Sequence, residues 1–369
     1  MKKLTSIAVL SCLTLAGACS GGQTKFEASI TGAPGATINL VNVATQASIV
    51  SSTDKARQRT ISGKAEPMAL ISVTQEDGGK DFLFFNDGTP ISIDITNGAL
   101  TGSELNQKVN YYKGFLGAIE RAYEKAVNDY KARTPEEQKA GEEEFRSLIE
   151  GMDESYEEMV QSIIKDNPDN LIPAAFASDI AQTLDDDAAK EFFESDAPYA
   201  KHPATLAVKA KLDEQNARWA EIEAAKQAAI GKKFTDLEEP DTEGKMHKLS
   251  EFLGRGQWVF VDFWASWCGP CRREMPNVVA AYKKYHPLGL EIVGLSFDND
   301  KEAWLKAIKD LDMPWIHLSD LKGWETVASD AYNIKSIPSS MLVDPEGIIV
   351  ARDLRGEELG AKLAEIFGK

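Results

Sequence analysis

One short stretch, Trp267-Cys268-Gly269-Pro270-Cys271, limits this chain to few folds, because a strand and a helix must meet on it. Upstream, Trp258-Val259-Phe260-Val261-Asp262-Phe263-Trp264 has the aromatic and β-branched composition of a buried strand. Downstream, Arg272 to Tyr285 repeats Met275, Val278, Val279 and Tyr282 at helical spacing. Two thiols in C-x-x-C spacing at such a junction stand one helical turn apart, close enough to be bridged. Cys268 then occupies the helix N-terminus, where unpaired backbone N–H groups and the helix dipole favour a thiolate.

Composition narrows the function classes. The formal net charge of −17 argues against a nucleic-acid partner and against electrostatic adhesion to anionic lipid. The first residues read as a leader: Lys2 and Lys3, an apolar run from Leu4 to Leu15, then the small residues Ala16-Gly17-Ala18 before Cys19. The apolar run is too short for a lasting membrane span. This arrangement resembles a bacterial lipoprotein signal (1–18), which implies cleavage before Cys19 and lipid on its sulfur. Val9-Leu10-Ser11-Cys12 is a rival box with too short an apolar core; an ordinary secretory signal is the other alternative. Residues 19–25 then form a lipidated Gly/Ser tether. Without Lys2 and Lys3 the charge becomes −19. Of the four cysteines only Cys268 and Cys271 remain, so an exported chain that would ordinarily spend cysteines on structural staples has none to spare.

Residues 26–102 read as a β-rich, sandwich-like domain. Short runs such as Phe26 to Ile30, Thr37 to Val41, Met68 to Thr74 and Ile91 to Ile95 alternate with turns such as Asp77-Gly78-Gly79. Residues 103–228 read as a helical linker domain. Tyr112, Leu116, Ile119, Tyr123, Val127 and Tyr130 recur at spacings that predict a packed stripe, and Thr134-Pro135-Glu136-Glu137 is a capping box opening a helix that carries Phe145 to Ile163. Neither region shows a catalytic constellation; a spacer or docking module is the expectation.

The segment Val261 to Cys271 resembles the thioredoxin active-site segment, and Arg272-Arg273-Glu274-Met275-Pro276 brings it closer to the exported, membrane-anchored TlpA-like and ResA-like thiol–disulfide oxidoreductases. Ser336-Ile337-Pro338 carries the second matching motif. The resemblance covers residues 229–369 and implies an α/β domain: a mixed sheet with helices on both faces, an additional helix after Asp300, a helix from Trp324 to Tyr332, and a closing hairpin and helix. A β-rich domain like 26–102 often precedes such a domain in lipoproteins of this kind.

The resemblance also implies roles. Cys268, the exposed sulfur of the pair, attacks a partner's disulfide, and Cys271 resolves the mixed disulfide. Gly269 and Pro270 form the thioredoxin-type pair, whose reference potential of about −270 mV suggests a reductant. Asp262 lies in apolar surroundings, so its pKa should rise; there it can take the proton of Cys271. Glu274 matches a ResA-like residue that tunes the cysteines, and which carboxylate carries the proton is open. Pro338 is expected in the cis form, with the backbone of Ile337 offered to the substrate chain and Trp267 as a docking surface. Trp264 is expected in the core. No cofactor beyond the Cys268–Cys271 pair is implied. A metal is not expected, since His202, His247, His286 and His317 lack paired spacing.

The expected partners are disulfide-containing exported proteins, a transmembrane thiol electron donor, and the membrane through the lipid anchor, in the cell envelope on the periplasmic side. Apocytochrome c, as in cytochrome c maturation, a damaged exported protein or another oxidoreductase would each serve as substrate. Two alternatives stand beside this: a thioredoxin-fold peroxidase, whose Pro and Thr before the reactive cysteine are replaced here by Ala265-Ser266-Trp267, and a binding lipoprotein with a vestigial redox domain.

Overall fold

Alternation of inward and outward side chains dominates the first part of the computed structural model, which describes residues 22–76, 78 and 81–368. Cys12, Cys19 and the leader lie outside the described residues, as does most of the Asp77-Gly78-Gly79 turn. The strands are β1 (Thr24–Thr31), β2 (Thr37–Asn42), β3 (Ser48–Thr53), β4 (Gln58–Ala65), β5 (Leu70–Gln75), β6 (Phe82–Phe85), β7 (Ile91–Asp94) and β8 (Ala99–Thr101). They form two four-stranded sheets, ordered β4-β1-β7-β8 and β3-β2-β5-β6. Ile30 and Ile93 from one sheet and Leu40, Val73 and Phe84 from the other share a single buried cluster, which makes the pair a sandwich. Leu100 and Thr101 form the edge strand β8 against β7, directly before the first helix.

The helical part holds α1 (Glu104–Lys131), α2 (Pro135–Ala140), α3 (Glu142–Lys165), α4 (Ala177–Thr183), α5 (Asp186–Glu194) and α6 (Pro203–Ala229). Ser103 caps α1 by accepting from the Asn106 N–H at 3.2 Å. The capping box at Thr134 forms, but the helix it opens is only α2: Gly141 (φ −102°, ψ 10°) interrupts the predicted single helix, and α3 starts afresh. The aromatic stripe of α1 is packed only in its first half. Tyr112 and Leu116 are buried, whereas Ile119, Tyr123, Val127 and Tyr130 are half-buried. Tyr130 stacks on Phe145 at 4.0 Å.

The chain parts into two compact units, one ending at Asp213 and the other beginning at Glu214, a point that α6 runs through. In the second unit come β9 (Glu238–Pro240), β10 (Met246–Lys248), β11 (Trp258–Trp264), α7 (Gly269–Tyr285), β12 (Leu290–Ser296), α8 (Lys301–Asp310), β13 (Ile316–Leu318), α9 (Val327–Tyr332), β14 (Ser339–Val343), β15 (Ile349–Arg352) and α10 (Gly356–Phe367). Its main sheet is ordered β13-β12-β11-β14-β15. β11, β12 and β13 run parallel, while β14 is antiparallel to β11 and β15 to β14. Burial is nearly continuous along β11, β12 and β14, as expected of strands covered on both faces. This mixed α/β sheet, preceded by a β-rich domain and a helical segment, is the thioredoxin-like architecture. The segment predicted as one helix from Trp324 to Tyr332 is instead a single 3₁₀ turn, Gly323–Glu325, followed by α9. Thr326 is extended there (φ −64°, ψ 147°), because its backbone caps α9.

Candidate active site

The sheet register places the site. β11 ends at Trp264, and the chain turns through Ala265-Ser266-Trp267 into α7. Phe263 pairs with Ser339 on β14, so Ile337-Pro338, just before Ser339, lie beside the end of β11. On the opposite side Trp264 pairs with Ser296, and the Phe297 N–H donates to the Trp264 carbonyl at 2.8 Å, which sets Phe297-Asp298 against the same turn. The dithiol turn thus lies at the end of the central strand β11, between the start of β14 and the end of β12.

Cys268 and Cys271 are joined as a disulfide, with Cα atoms 5.3 Å apart. Cys268 is the N-cap of α7, and its Sγ accepts a hydrogen bond from the Cys271 N–H at 3.1 Å. A helix N-terminus with a backbone N–H on the sulfur stabilises negative charge there. Cys268 is the more accessible cysteine, but only slightly: 4% exposed against 1% for Cys271. The exposed sulfur expected from sequence is therefore a nearly covered one. Gly269 and Pro270 form the first turn of α7, where Pro needs no N–H partner.

The turn is tied down by residues that the motif does not include. Asp298 is buried, and its carboxylate accepts from the Ser266 N–H (2.9 Å), the Ser266 hydroxyl (2.5 Å) and the Ser296 hydroxyl (2.7 Å). The Trp267 indole N–H donates to the Phe297 carbonyl at 3.2 Å, which leaves the ring 52% exposed beside Cys268. Trp264 is fully buried, as its composition context suggested.

Asp262 is buried on β11, and its Oδ2 has no hydrogen-bond partner. Burial pushes its pKa up to about 7, the Glu274 charge pushes the same way, and the Arg355 guanidinium opposes both. Glu274 is half-buried on α7. One carboxylate oxygen accepts from the Gly356 N–H at 2.7 Å and the other from the Asn277 amide at 3.2 Å. Glu274 is thus held in place by a backbone N–H and a side-chain amide.

The Ile337–Pro338 peptide bond is cis. Arg355 donates to the Pro338 carbonyl, while Gly356, the next residue, holds Glu274, so the start of α10 links the Pro338 loop to α7. Ser339 and Ser340 fasten the other end of that loop through Asp353, whose carboxylate is held below its ordinary pKa despite burial by Lys226 and these hydroxyl and N–H donors. Asp298, Arg355 and Asp353 were not singled out from sequence. An Asp directly after a buried strand was a readable signal for the first, but nothing local marks the other two. Among the described residues no cluster of three or more His, Cys, Asp or Glu side chains could hold a metal ion. No helix among them is long and apolar enough to cross a membrane.

A thioredoxin-like sheet with a paired dithiol at the strand-to-helix turn and a cis-proline beside it defines a thiol–disulfide oxidoreductase. The sequence pattern of the AhpC/TSA family matches residues 230–352. Over 140 residues the chain is 34% identical to the thiol-disulfide oxidoreductase ResA of Bacillus thuringiensis subsp. konkukian, covering 38% of this chain and 78% of that one. Against the ResA of Bacillus subtilis it is 34% identical over 110 residues, covering 30% and 59%. The C-terminal domain of a putative thiol-disulfide oxidoreductase from Bacteroides thetaiotaomicron is a structural neighbour, with 30% identity, 38% and 96% coverage and a TM-score of 0.36. The chain belongs to the ResA family of thiol–disulfide oxidoreductases, through its C-terminal domain.

Proposed function

We propose that this oxidoreductase works as a reductant of protein disulfides, held in the cell envelope by lipid on Cys19. In the reduced enzyme the Cys268 thiolate attacks one sulfur of a partner's disulfide. A mixed disulfide forms and the partner's other sulfur leaves as a thiolate. Cys271 then loses its proton to the Asp262 carboxylate and attacks Cys268 Sγ. The Cys268–Cys271 disulfide forms and the second partner sulfur departs, so two electrons have passed to the partner. A transmembrane thiol carrier re-reduces the pair. Ile337 offers its backbone to the partner chain, and disulfide-containing exported proteins are the substrates.

The reading is supported above all by the Cys271 N–H on Cys268 Sγ at the N-terminus of α7, an arrangement suited to a thiolate nucleophile. Asp262, buried and with an unpartnered oxygen, supplies a group of suitable pKa for the second step. Anchoring and an envelope location rest on Lys2, Lys3, the apolar run and Ala16-Gly17-Ala18-Cys19.

Cys271→Ala is the deciding variant. Expressed in its native host, it should accumulate as mixed disulfides on Cys268, visible as adducts on non-reducing gels and identifiable by mass spectrometry. Absence of adducts, with Cys268→Ala equally clean, would refute the order of attack. Mass spectrometry of the mature N-terminus should find diacylglycerol on Cys19.

A further inference from the structure

We propose that Trp324 is a substrate-binding residue, forming with Trp267 an aromatic clamp beside Cys268 that receives a bulky apolar side chain next to the substrate's disulfide. This deepens the disulfide-exchange reading above and rests on it.

Trp267 and Trp324 are 52% and 46% exposed, and from residue 230 onward they are the exposed aromatic side chains among the described residues. They stand together, ring centroids 6.2 Å apart and planes tilted by 54°. Phe297 underpins Trp324 edge-on at 5.2 Å and also accepts the Trp267 indole N–H on its carbonyl. The neighbouring Val327 is 46% exposed, which extends the apolar surface past Trp324.

The 3₁₀ turn carrying Trp324 is fixed from two sides. The Gly323 N–H donates to the Asp298 carbonyl at 3.3 Å, and Asp298 is the residue whose carboxylate holds Ser266 in the dithiol turn. One buried residue therefore sets both tryptophans relative to Cys268. On the far side the Thr326 hydroxyl donates at 2.7 Å to Glu239, a fully buried carboxyl on β9 whose other oxygen has no partner. Two large indoles left in water while their backbones are pinned is a costly arrangement for a surface without a ligand, and a typical one for a binding anchor.

The register fixes what would lie there. Ile337-Pro338 flank the dithiol turn on the β14 side, and Phe297 with the two tryptophans flank it on the β12 side. Cys268 is only 4% exposed, so a disulfide can reach it from a chain laid along the surface but not from the interior of a folded domain. In the proposed complex an extended segment attached at Cys268 passes one neighbour of its cysteine over the indole faces. The substrate class is a disulfide on an extended or loop segment with Phe, Tyr, Leu or a similar residue beside the attacked cysteine.

The test uses the full chain, pre-reduced, and two cyclic disulfide peptides that differ only in Phe or Ser beside one cysteine. Acid quench and thiol alkylation give the rate constants for enzyme oxidation. Wild type should prefer the Phe peptide about tenfold. Trp324→Ala should bring the ratio near one, while Trp324→Phe keeps most of it. A wild-type ratio near one, or a ratio unchanged in Trp324→Ala, would overturn the clamp; the first result needs no variant to fold. If reduced wild type is oxidised by neither peptide nor by oxidised glutathione, the disulfide-exchange reading itself fails.

Discussion

Asn106 and Asn167, in the first unit, are buried and neutral, and both are fully engaged. Asn106 accepts from the Phe85 N–H (2.6 Å) and donates to the Phe85 carbonyl (3.0 Å). Asn167 donates to the Ile163 carbonyl and the Tyr112 hydroxyl and accepts from Asn170. Asp262 and Glu239, in the thioredoxin-like domain, are as deeply buried, but they are acids and each keeps an oxygen without a partner. An amide can satisfy strand and helix ends at no charge cost. A buried acid with an open oxygen is expensive, and burial raises both groups to a pKa of about 7. At similar burial, these two amides are satisfied scaffold, whereas these two acids hold an open oxygen and a raised pKa.

The sharpest way to break this contrast is Asp262→Asn. If Asp262 takes the Cys271 proton, the variant should resolve mixed disulfides on the order of a hundredfold more slowly. It should also be more stable. The Asp262 carboxyl ionises near 3.8 when unfolded and near 7 when folded, so its contribution to stability is fully present below pH 4 and disappears as pH rises through 7. Asn removes that loss, worth roughly 4 kcal/mol at pH 8. Urea unfolding of both proteins from pH 4 to 8 measures it. Parallel curves would mean that the carboxyl is not a strained acid, and the contrast would fail.

Asn106→Ala tests the other side. It leaves the N–H and carbonyl of Phe85 without their side-chain partner in a buried site, and should cost about 2–3 kcal/mol of stability in the first unit. The rate of disulfide exchange at Cys268 should stay as it is. A matched fall in exchange rate would show that the amides of the first unit are not scaffold alone.

The legible parts of the molecule were those with local signals. Cys268, Cys271 and the flanking strand and helix follow from side-chain pattern. Asp300 as the cap of α8 follows from an Asp ahead of a periodic run, and it accepts from the N–H groups of Glu302 and Ala303 as such a residue should. The unread parts depend on contacts between distant positions. Nothing near Arg355 in sequence says that it reaches Pro338, and nothing near Thr326 says that Glu239 will hold it, 87 residues away. The break at Gly141 escaped for a different reason. A capping box announces where a helix starts, while how far it runs depends on one residue's tolerance for a non-helical backbone.

The smallest effect expected is the most informative about the two carboxylates. Glu274→Gln keeps an oxygen for the Gly356 N–H but removes the charge that helps to raise the Asp262 pKa. If Asp262 takes the proton, the pH midpoint of the resolving step should move to lower pH while its plateau rate holds, because burial, the larger cause, is untouched. If Glu274 takes it, the variant should instead be slow at every pH, with the midpoint lost. A pH series of single-turnover resolution separates the two outcomes, since one displaces the curve sideways and the other lowers it. Arg355→Gln makes the check complete: the guanidinium opposes the other two influences on Asp262, so removing it should move the midpoint in the direction opposite to Glu274→Gln.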